Sequence, residues 1–191
     1  MAGRRRHSVA IRRACRALLD GGLIAYPTEA VYGIGCRPDS EAAVLRLAEL
    51  KKRSLRAGFI LVAASPDQLA PYMAALDARI EQRMRASWPG PMTWVVPASP
   101  QAPWWITGSR DTIAVRVPAH PICRHLCDEF GAAIVSTSAN LAGRPPARTA
   151  LGTRRRFGAR IDVIVSGEVG GATGPTEIRD ALTNTVLRPS A

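Results

Sequence analysis

The sequence predicts an α/β fold built as one domain, a mixed β-sheet covered by helices. Three observations carry this. Short apolar runs that stop at proline or glycine alternate along the chain with amphipathic stretches of helical period. At 191 residues the chain has room for one core rather than two. With 47 % hydrophobic and 21 % charged residues, the composition is that of a packed globular protein rather than a disordered one.

The elements follow in order. Ser8 can cap a helix to about Leu19, with Val9, Ala14, Leu18 and Leu19 on its buried side and Gly21-Gly22 ending it. Leu23 to Tyr26 is a short apolar run stopped by Pro27, which fits a buried strand, and Gly33 to Cys36 is a second run. Asp39 or Ser40 caps an amphipathic helix in which Val44, Leu45, Leu47, Ala48 and Leu50 recur. Phe59 to Ala63 reads as a strand, and Ser65-Pro66-Asp67 opens a further helix with proline in its first turn. A helix at Asp77 to Ser87 precedes strands at Met92 to Pro97 and Thr112 to Val117. Pro121 to Phe130 is helical, and Ala132 to Ser136 is a strand. The last strands are Asp162 to Val165, Glu177 to Arg179 and Asn184 to Leu187. Residues 142 to 146 and 170 to 175, rich in proline and glycine, read as surface loops.

Composition also excludes function classes. No run of 18 apolar residues occurs, so no helix is expected to span a membrane. The basic start, Met1 to His7, lacks the apolar stretch of a signal peptide, and a cytoplasmic protein is expected. Cys15, Cys36, Cys123 and Cys127 are too irregular for a disulfide framework. Ile122, Cys123, Leu126, Cys127 and Phe130 share one helical stripe, which favours core packing over zinc binding. The formal net charge of +11 gives screened attraction to polyanions. The runs Arg4-Arg5-Arg6, Arg12-Arg13 and Arg154-Arg155-Arg156 read as solvated faces.

No phosphate-binding glycine loop of the Walker type occurs, and Gly33-Ile34-Gly35 runs into Pro38 where a dinucleotide fingerprint wants glycine. Four junctions remain. Tyr26-Pro27-Thr28-Glu29-Ala30-Val31-Tyr32-Gly33 puts a hydroxyl, a carboxylate and an aromatic ring after a buried strand, where α/β sheets tend to bind ligands; spacing alone does not separate this from a plain turn. Lys51-Lys52-Arg53 ends a helix, where cations complement the dipole. Yet these are the only lysines in a chain otherwise using arginine, which favours an anion site. Ser136-Thr137-Ser138-Ala139-Asn140 offers a small-residue nest of hydroxyls and backbone N–H groups, or alternatively a helix cap. Arg116 lies on the strand face opposite Ile113, Val115 and Val117, either solvated or as a clamp for a substrate carboxylate.

At these places the chain resembles the threonylcarbamoyl-AMP synthase family, the YrdC or TsaC proteins, in its short single-domain bacterial form. The matching words are Tyr26-Pro27-Thr28-Glu29 with Val31-Tyr32-Gly33, Lys51 with Arg53, and Trp88-Pro89-Gly90-Pro91-Met92-Thr93. Val115-Arg116-Val117-Pro118, Ser136-Thr137-Ser138-Ala139-Asn140 and Glu177-Ile178-Arg179-Asp180-Ala181-Leu182 complete the set. The resemblance runs from about Ala10 to Arg188, and it departs from the family at Ala30, usually threonine, and Ser54, often proline.

The resemblance implies a single YrdC-like domain over residues 1–191, with a twisted sheet and a basic concave surface. It implies that L-threonine, bicarbonate and ATP with Mg2+ condense to threonylcarbamoyl-AMP and pyrophosphate. Partner proteins of the TsaB/TsaD/TsaE type then carry the group to an adenine of tRNA; direct contact with tRNA is left open. Lys51 and Arg53 are the implied catalytic cations. Thr28, Tyr32, Thr93, Arg116, Ser136, Ser138 and Asn140 are the implied substrate- and ATP-binding residues, and no residue is assigned to hold a metal. Such chemistry needs positive charge and alignment of two anions more than it needs a nucleophile. The alternative from composition is a basic RNA-binding module without catalysis, although interleaved aromatics are scarce.

Overall fold

The computed structural model describes residues 2–190, with side chains from Ser8 onward; the side chains of Arg4-Arg5-Arg6 lie outside the described residues. The described helices are α1 (Ala2–Leu19), α2 (Glu41–Lys51), α3 (Ala78–Ala86), α4 (Trp104–Thr107), α5 (Pro121–Phe130) and α6 (Ala150–Phe157). The strands are β1 (Ile24–Pro27), β2 (Tyr32–Gly35), β3 (Ile60–Val62), β4 (Met92–Pro97) and β5 (Thr112–Arg116). They continue with β6 (Ile134–Ser138), β7 (Val163–Ile164), β8 (Glu177–Asp180) and β9 (Val186–Arg188). None of the described helices is long and apolar enough to cross a membrane.

The strands form one sheet in the order β7-β1-β2-β6-β3-β5-β4-β8-β9. It is mixed throughout: β1 with β7, β3 with β5 and β4 with β8 are parallel, and the other neighbouring pairs are antiparallel. Strand β6 is interior, antiparallel to both β2 and β3. Strand β2 draws it out to Ser138, two residues beyond the expected end, because Gly33 pairs with Ser138 and Ile34 with Thr137.

Alternation along the strands divides the core. Ile24 and Tyr26 of β1 and Ile134 of β6 pack with Ile11, Ala14 and Leu18 of α1 and Leu126 of α5. Ala25 of β1, Val135 of β6, Val115 of β5 and Trp94 of β4 point to the opposite face, where Leu47 of α2, Ile106 of α4 and Phe157 of α6 cover them. Helices α1 and α5 therefore cover β7, β1, β6 and β3 on their face. The rest of that face, over β5, β4 and β8, carries no helix among the described residues and becomes the floor of a cleft.

Several expectations are corrected. Helix α1 begins at Ala2, so Ser8 lies inside it and accepts a 2.6 Å hydrogen bond from Arg12 instead of capping. Its buried stripe is Ile11, Ala14, Cys15 and Leu18 at helical spacing, which leaves Val9 and Leu19 exposed. Ser40, not Asp39, caps α2 by accepting from the Ala43 N–H. The helix expected from Ser65 is instead two 3-10 turns, Pro66–Gln68 and Ala70–Tyr72. Pro71 lacks the N–H that a continuing helix needs. Helix α6 was not expected; Thr149 caps it by accepting 2.9 Å from the Gly152 N–H. All four cysteines are buried free thiols, and burial pushes Cys36 up to about 12.

Candidate functional site

The uncovered part of that face is the floor of a cleft of about 1090 Å³. That is at the upper end for small-molecule sites and leaves room for more than one reactant. Thr93, Ala114, Arg116 and Ile178 rise from the floor, while Thr28, Tyr32, Arg53, Ser136 and Ser138 form the walls. The site thus lies on a sheet face and not only at strand ends. Seven of the nine residues singled out from sequence meet here; Lys51 and Asn140 sit behind the wall.

Lys51 is only 5 % exposed, so it does not occupy an exposed helix end. Val44, Leu47, Ala48 and Lys51 stand at i, i+3, i+4 and i+7, which carries the lysine inward with the apolar stripe of α2. Its Nζ donates to the Ser138 carbonyl, to the Asn140 carbonyl at 2.5 Å and to Asn140 Oδ1 at 2.9 Å. Burial, then the neighbouring Arg53 and Arg156, pushes its pKa down from 10.5 to about 8. Arg53, two residues on, is exposed, donates 2.9 Å to the Gly58 carbonyl and lies 5.3 Å over the Phe59 ring.

The segment after Val135 is not an open nest. The Ala139 N–H donates 2.7 Å to the Tyr32 carbonyl and the Asn140 N–H 2.9 Å to the Ser138 carbonyl, so neither is free for an anion. Nor does the segment cap a helix. What it offers the cleft is hydroxyls: Ser138 Oγ, which donates 2.6 Å to Asn140 Oδ1, and Ser136 Oγ, which accepts 2.9 Å from Tyr26.

Across the floor, Arg116 is buried rather than solvated. Its Nη2 lies 2.5 Å from Glu29 Oε2, its Nε donates 3.0 Å to the Gly90 carbonyl, and its Nη1 donates 3.2 Å to Thr176. Glu29 Oε1 accepts 2.7 Å from the Ala119 N–H. Thr28 is turned on itself, its hydroxyl donating 2.7 Å to the Val31 carbonyl. The Tyr32 hydroxyl donates 2.7 Å to the Gly167 carbonyl and accepts from the Gly167 N–H, which pins the loop after β7. Thr93 is fully buried in the floor, and its hydroxyl has no partner among the described residues.

Sequence reasoning missed Arg110, Arg148 and Arg188, which line the cleft with Arg53 and Arg116. Each stands alone in the sequence, whereas attention to arginine runs pointed to outer faces. Arg12, Arg13, Arg154 and Arg155 are indeed exposed, but Arg156 is half-buried. Glu29 and Asp180 are the acidic residues lining the cleft. Like charges crowd here: burial and Arg110 lower the pKa of Arg53, and burial and Arg116 lower that of Arg188. A cavity in which cations disfavour one another is one that an anion stabilises.

Comparison with known proteins agrees with this geometry. The Sua5/YciO/YrdC family model, described as "Telomere recombination", matches residues 16–190. The threonylcarbamoyl-AMP synthase of Halorhodospira halophila is 54 % identical over 178 residues, covering 93 % of each chain. That of Nitrosococcus oceani is 51 % identical over 93 % of this chain and 96 % of its own. P. abyssi Sua5, solved in complex with L-threonine, superposes with a TM-score of 0.87 at 36 % identity; it covers 94 % of this chain, which spans 54 % of that longer one. E. coli YciO superposes at 0.83 with 25 % identity over 97 % of this chain and 90 % of its own. With its sequence and fold matched over nearly its whole length, the chain belongs to the Sua5/YciO/YrdC family.

Proposed function

We propose that this chain is a threonylcarbamoyl-AMP synthase, a nucleotidyltransferase that condenses L-threonine, bicarbonate and ATP to threonylcarbamoyl-AMP and pyrophosphate. The observation that carries this reading is a cleft that five arginines and two carboxylates line among the described residues, with hydroxyls on floor and wall. Such a site suits the meeting of two anions. The threonine amine bonds to the carbon of bicarbonate as the carbon–hydroxyl bond breaks, and the departing hydroxide takes the amine proton and leaves as water. The resulting carbamate oxygen attacks the α-phosphorus of ATP. The bond from that phosphorus to the bridging oxygen breaks, and pyrophosphate leaves with the electron pair.

Residue roles follow from placement. Arg53 and the Ser138 hydroxyl face the nucleotide phosphates, where charge-assisted contacts are strongest. Lys51 adds positive charge from one layer behind and fixes Ser138 and Asn140. Arg116, with Thr28, Tyr32, Thr93 and Ser136, forms the amino-acid side; its fork has donors beyond the three bonds above, available to a carboxylate. Thr93 offers its unpartnered hydroxyl to that of threonine.

Mg2+ enters with the triphosphate, whose charge it shares. The described residues include no cluster of three metal-ligating side chains, and the cleft carboxylates are engaged, Glu29 with Arg116 and Ala119, Asp180 with the Leu182 and Thr183 N–H groups. Mg2+ brought in with the triphosphate would be held mainly by phosphate oxygens and would supply charge neutralisation there; no step above is assigned to it. In the cytoplasm, TsaB/TsaD/TsaE-type partners would pass the product on to tRNA, with exposed Arg12, Arg13, Arg154 and Arg155 attracting the polyanion.

The test is pyrophosphate release from ATP that requires both threonine and bicarbonate, with mass spectrometry of the AMP ester. Release that ignores either co-substrate, or no ester at all beside tight RNA binding, leaves the basic RNA-binding module as the function.

A further inference from the structure

Behind the Ser138 wall two cations from opposite sides of the chain take up consecutive backbone carbonyls. Lys51, at the end of α2, takes those of Ser138 and Asn140. Arg156, near the end of α6, donates through Nη1 to the Ala139 carbonyl at 3.1 Å and to the Pro145 carbonyl. Every carbonyl from 138 to 140 thus ends on a cation, and neither cation lines the cleft. The flanking arginines of α6 do not share this work: Arg154 and Arg155 are exposed, and only Arg156 is turned inward.

We infer that Arg156 is a positioning residue for the nucleotide side of the cleft, holding the Ser138–Asn140 carbonyls away from the phosphates so that the wall presents hydroxyls and positive potential. This rests on the proposed ATP-dependent reaction. A carbonyl oxygen turned toward a phosphate would repel it, and a guanidinium behind the wall prevents that turn while adding favourable charge. The loop between Asn140 and α6 has few ladder bonds of its own. This guanidinium ties Ala139 to Pro145, beside the Ala147 N–H bond to the Ala139 carbonyl at 2.9 Å, the Tyr32 N–H bond to the Ala147 carbonyl at 2.8 Å and a turn bond from the Arg144 N–H to the Leu141 carbonyl.

The experiment compares Arg156→Gln, Arg156→Lys and Arg155→Gln with the parent protein. Each is measured for binding of a non-hydrolysable ATP analogue by calorimetry, for threonine- and bicarbonate-dependent pyrophosphate release, and for thermal unfolding. Arg155→Gln removes the same charge from the same helix and serves as the control. Arg156→Gln is expected to weaken analogue binding about tenfold, as for one lost charge-assisted contact. Arg156→Lys should recover most of that, and Arg155→Gln should stay near the parent.

A second readout separates positioning from mere loosening of the fold. The charged groups bearing on Lys51 are Arg53 and Arg156. Removing Arg156 relieves repulsion on the ammonium, so the loss of analogue affinity at alkaline pH, centred near pH 8 in the parent, moves to higher pH in Arg156→Gln. If Arg156→Gln binds the analogue as Arg155→Gln does, or if its alkaline limb does not move, the inference is overturned. A parent protein without threonine- and bicarbonate-dependent activity would instead overturn the proposed function.

Discussion

The two cationic corners of the cleft treat charge in opposite ways. At Arg116 the counter-charge is built in: Glu29 lies 2.5 Å away, and the side chains are 10 % and 12 % exposed. At Lys51 the acceptors are neutral carbonyl and amide oxygens, and among the described residues the lysine makes no ion pair. The first corner is largely compensated and binds the chain to itself. The second keeps its net charge, and burial makes that charge both costly and far-reaching. Where the counter-charge sits decides how much of a buried cation's field is left for a ligand.

The sharpest way to break this comparison is to remove one partner of the compensated corner. Glu29→Gln or Arg116→Met should each cost about 3–5 kcal/mol in urea unfolding, because an uncompensated buried charge remains. The double variant should recover much of that. Single variants within 1 kcal/mol of the parent, on the same approximate scale, would mean that water reaches the pair.

Next in size is Arg53→Ala, which should cost about 1.5–3 kcal/mol of kcat/KM in pyrophosphate release with little change in thermal unfolding. Arg53 is exposed, and its internal bonds are to the Ala57 and Gly58 carbonyls of the neighbouring turn. A fall in stability with intact activity would move Arg53 to the structural side of the comparison.

The third expectation is a pH dependence of opposite sign for binding and stability. The folded pKa of Lys51 is lowered from 10.5 to about 8. Between those values the unfolded chain holds the proton that the folded chain has lost, so this group makes stability rise with pH across that window. Nucleotide affinity should fall over the same range, as the ammonium that holds Ser138 and Asn140 is lost. Urea unfolding and calorimetry at matched pH values check the two slopes, with Lys51→Met as the variant that should flatten both.

The smallest effect belongs to Ser54→Pro. Ser54 has φ −65 and ψ 135, so it already holds the backbone that proline would impose, although its hydroxyl accepts a bond from the Arg56 N–H. Thermal unfolding should change by less than about 1 kcal/mol, and activity should be retained. The departure from the family at this position therefore does not loosen the corner.

Much of the fold was legible because apolar spacing is local. Strands β1 to β5 and helices α2, α3 and α5 fall within a few residues of their sequence expectation. Helix α6 escaped notice because its run of arginines hides the short apolar stripe ending in Phe157. The site was less legible. Residue types at the four junctions marked six of the wall and floor residues, and the family resemblance added Thr93, but partners distant in sequence decided what each does. The burial of Lys51 was visible in principle at i+7 of its own helix, yet its acceptors lie at 138 and 140. The state of Arg116 depended on Glu29, which no local pattern links to it.

The sheet order has a consequence for how the protein is made. Thr28 and Arg188 line the same cleft, and β4 is inserted between β5 and β8. A ribosome emitting about 5–20 residues each second has released nearly every residue before the last wall can dock. Until β8 pairs with β4, the floor at Thr93 and Arg116 stays open on one side as an unpaired strand edge. The nascent chain is therefore without a nucleotide site for most of its synthesis. Its risk of sticking to a neighbour is concentrated on the β4 edge during that interval.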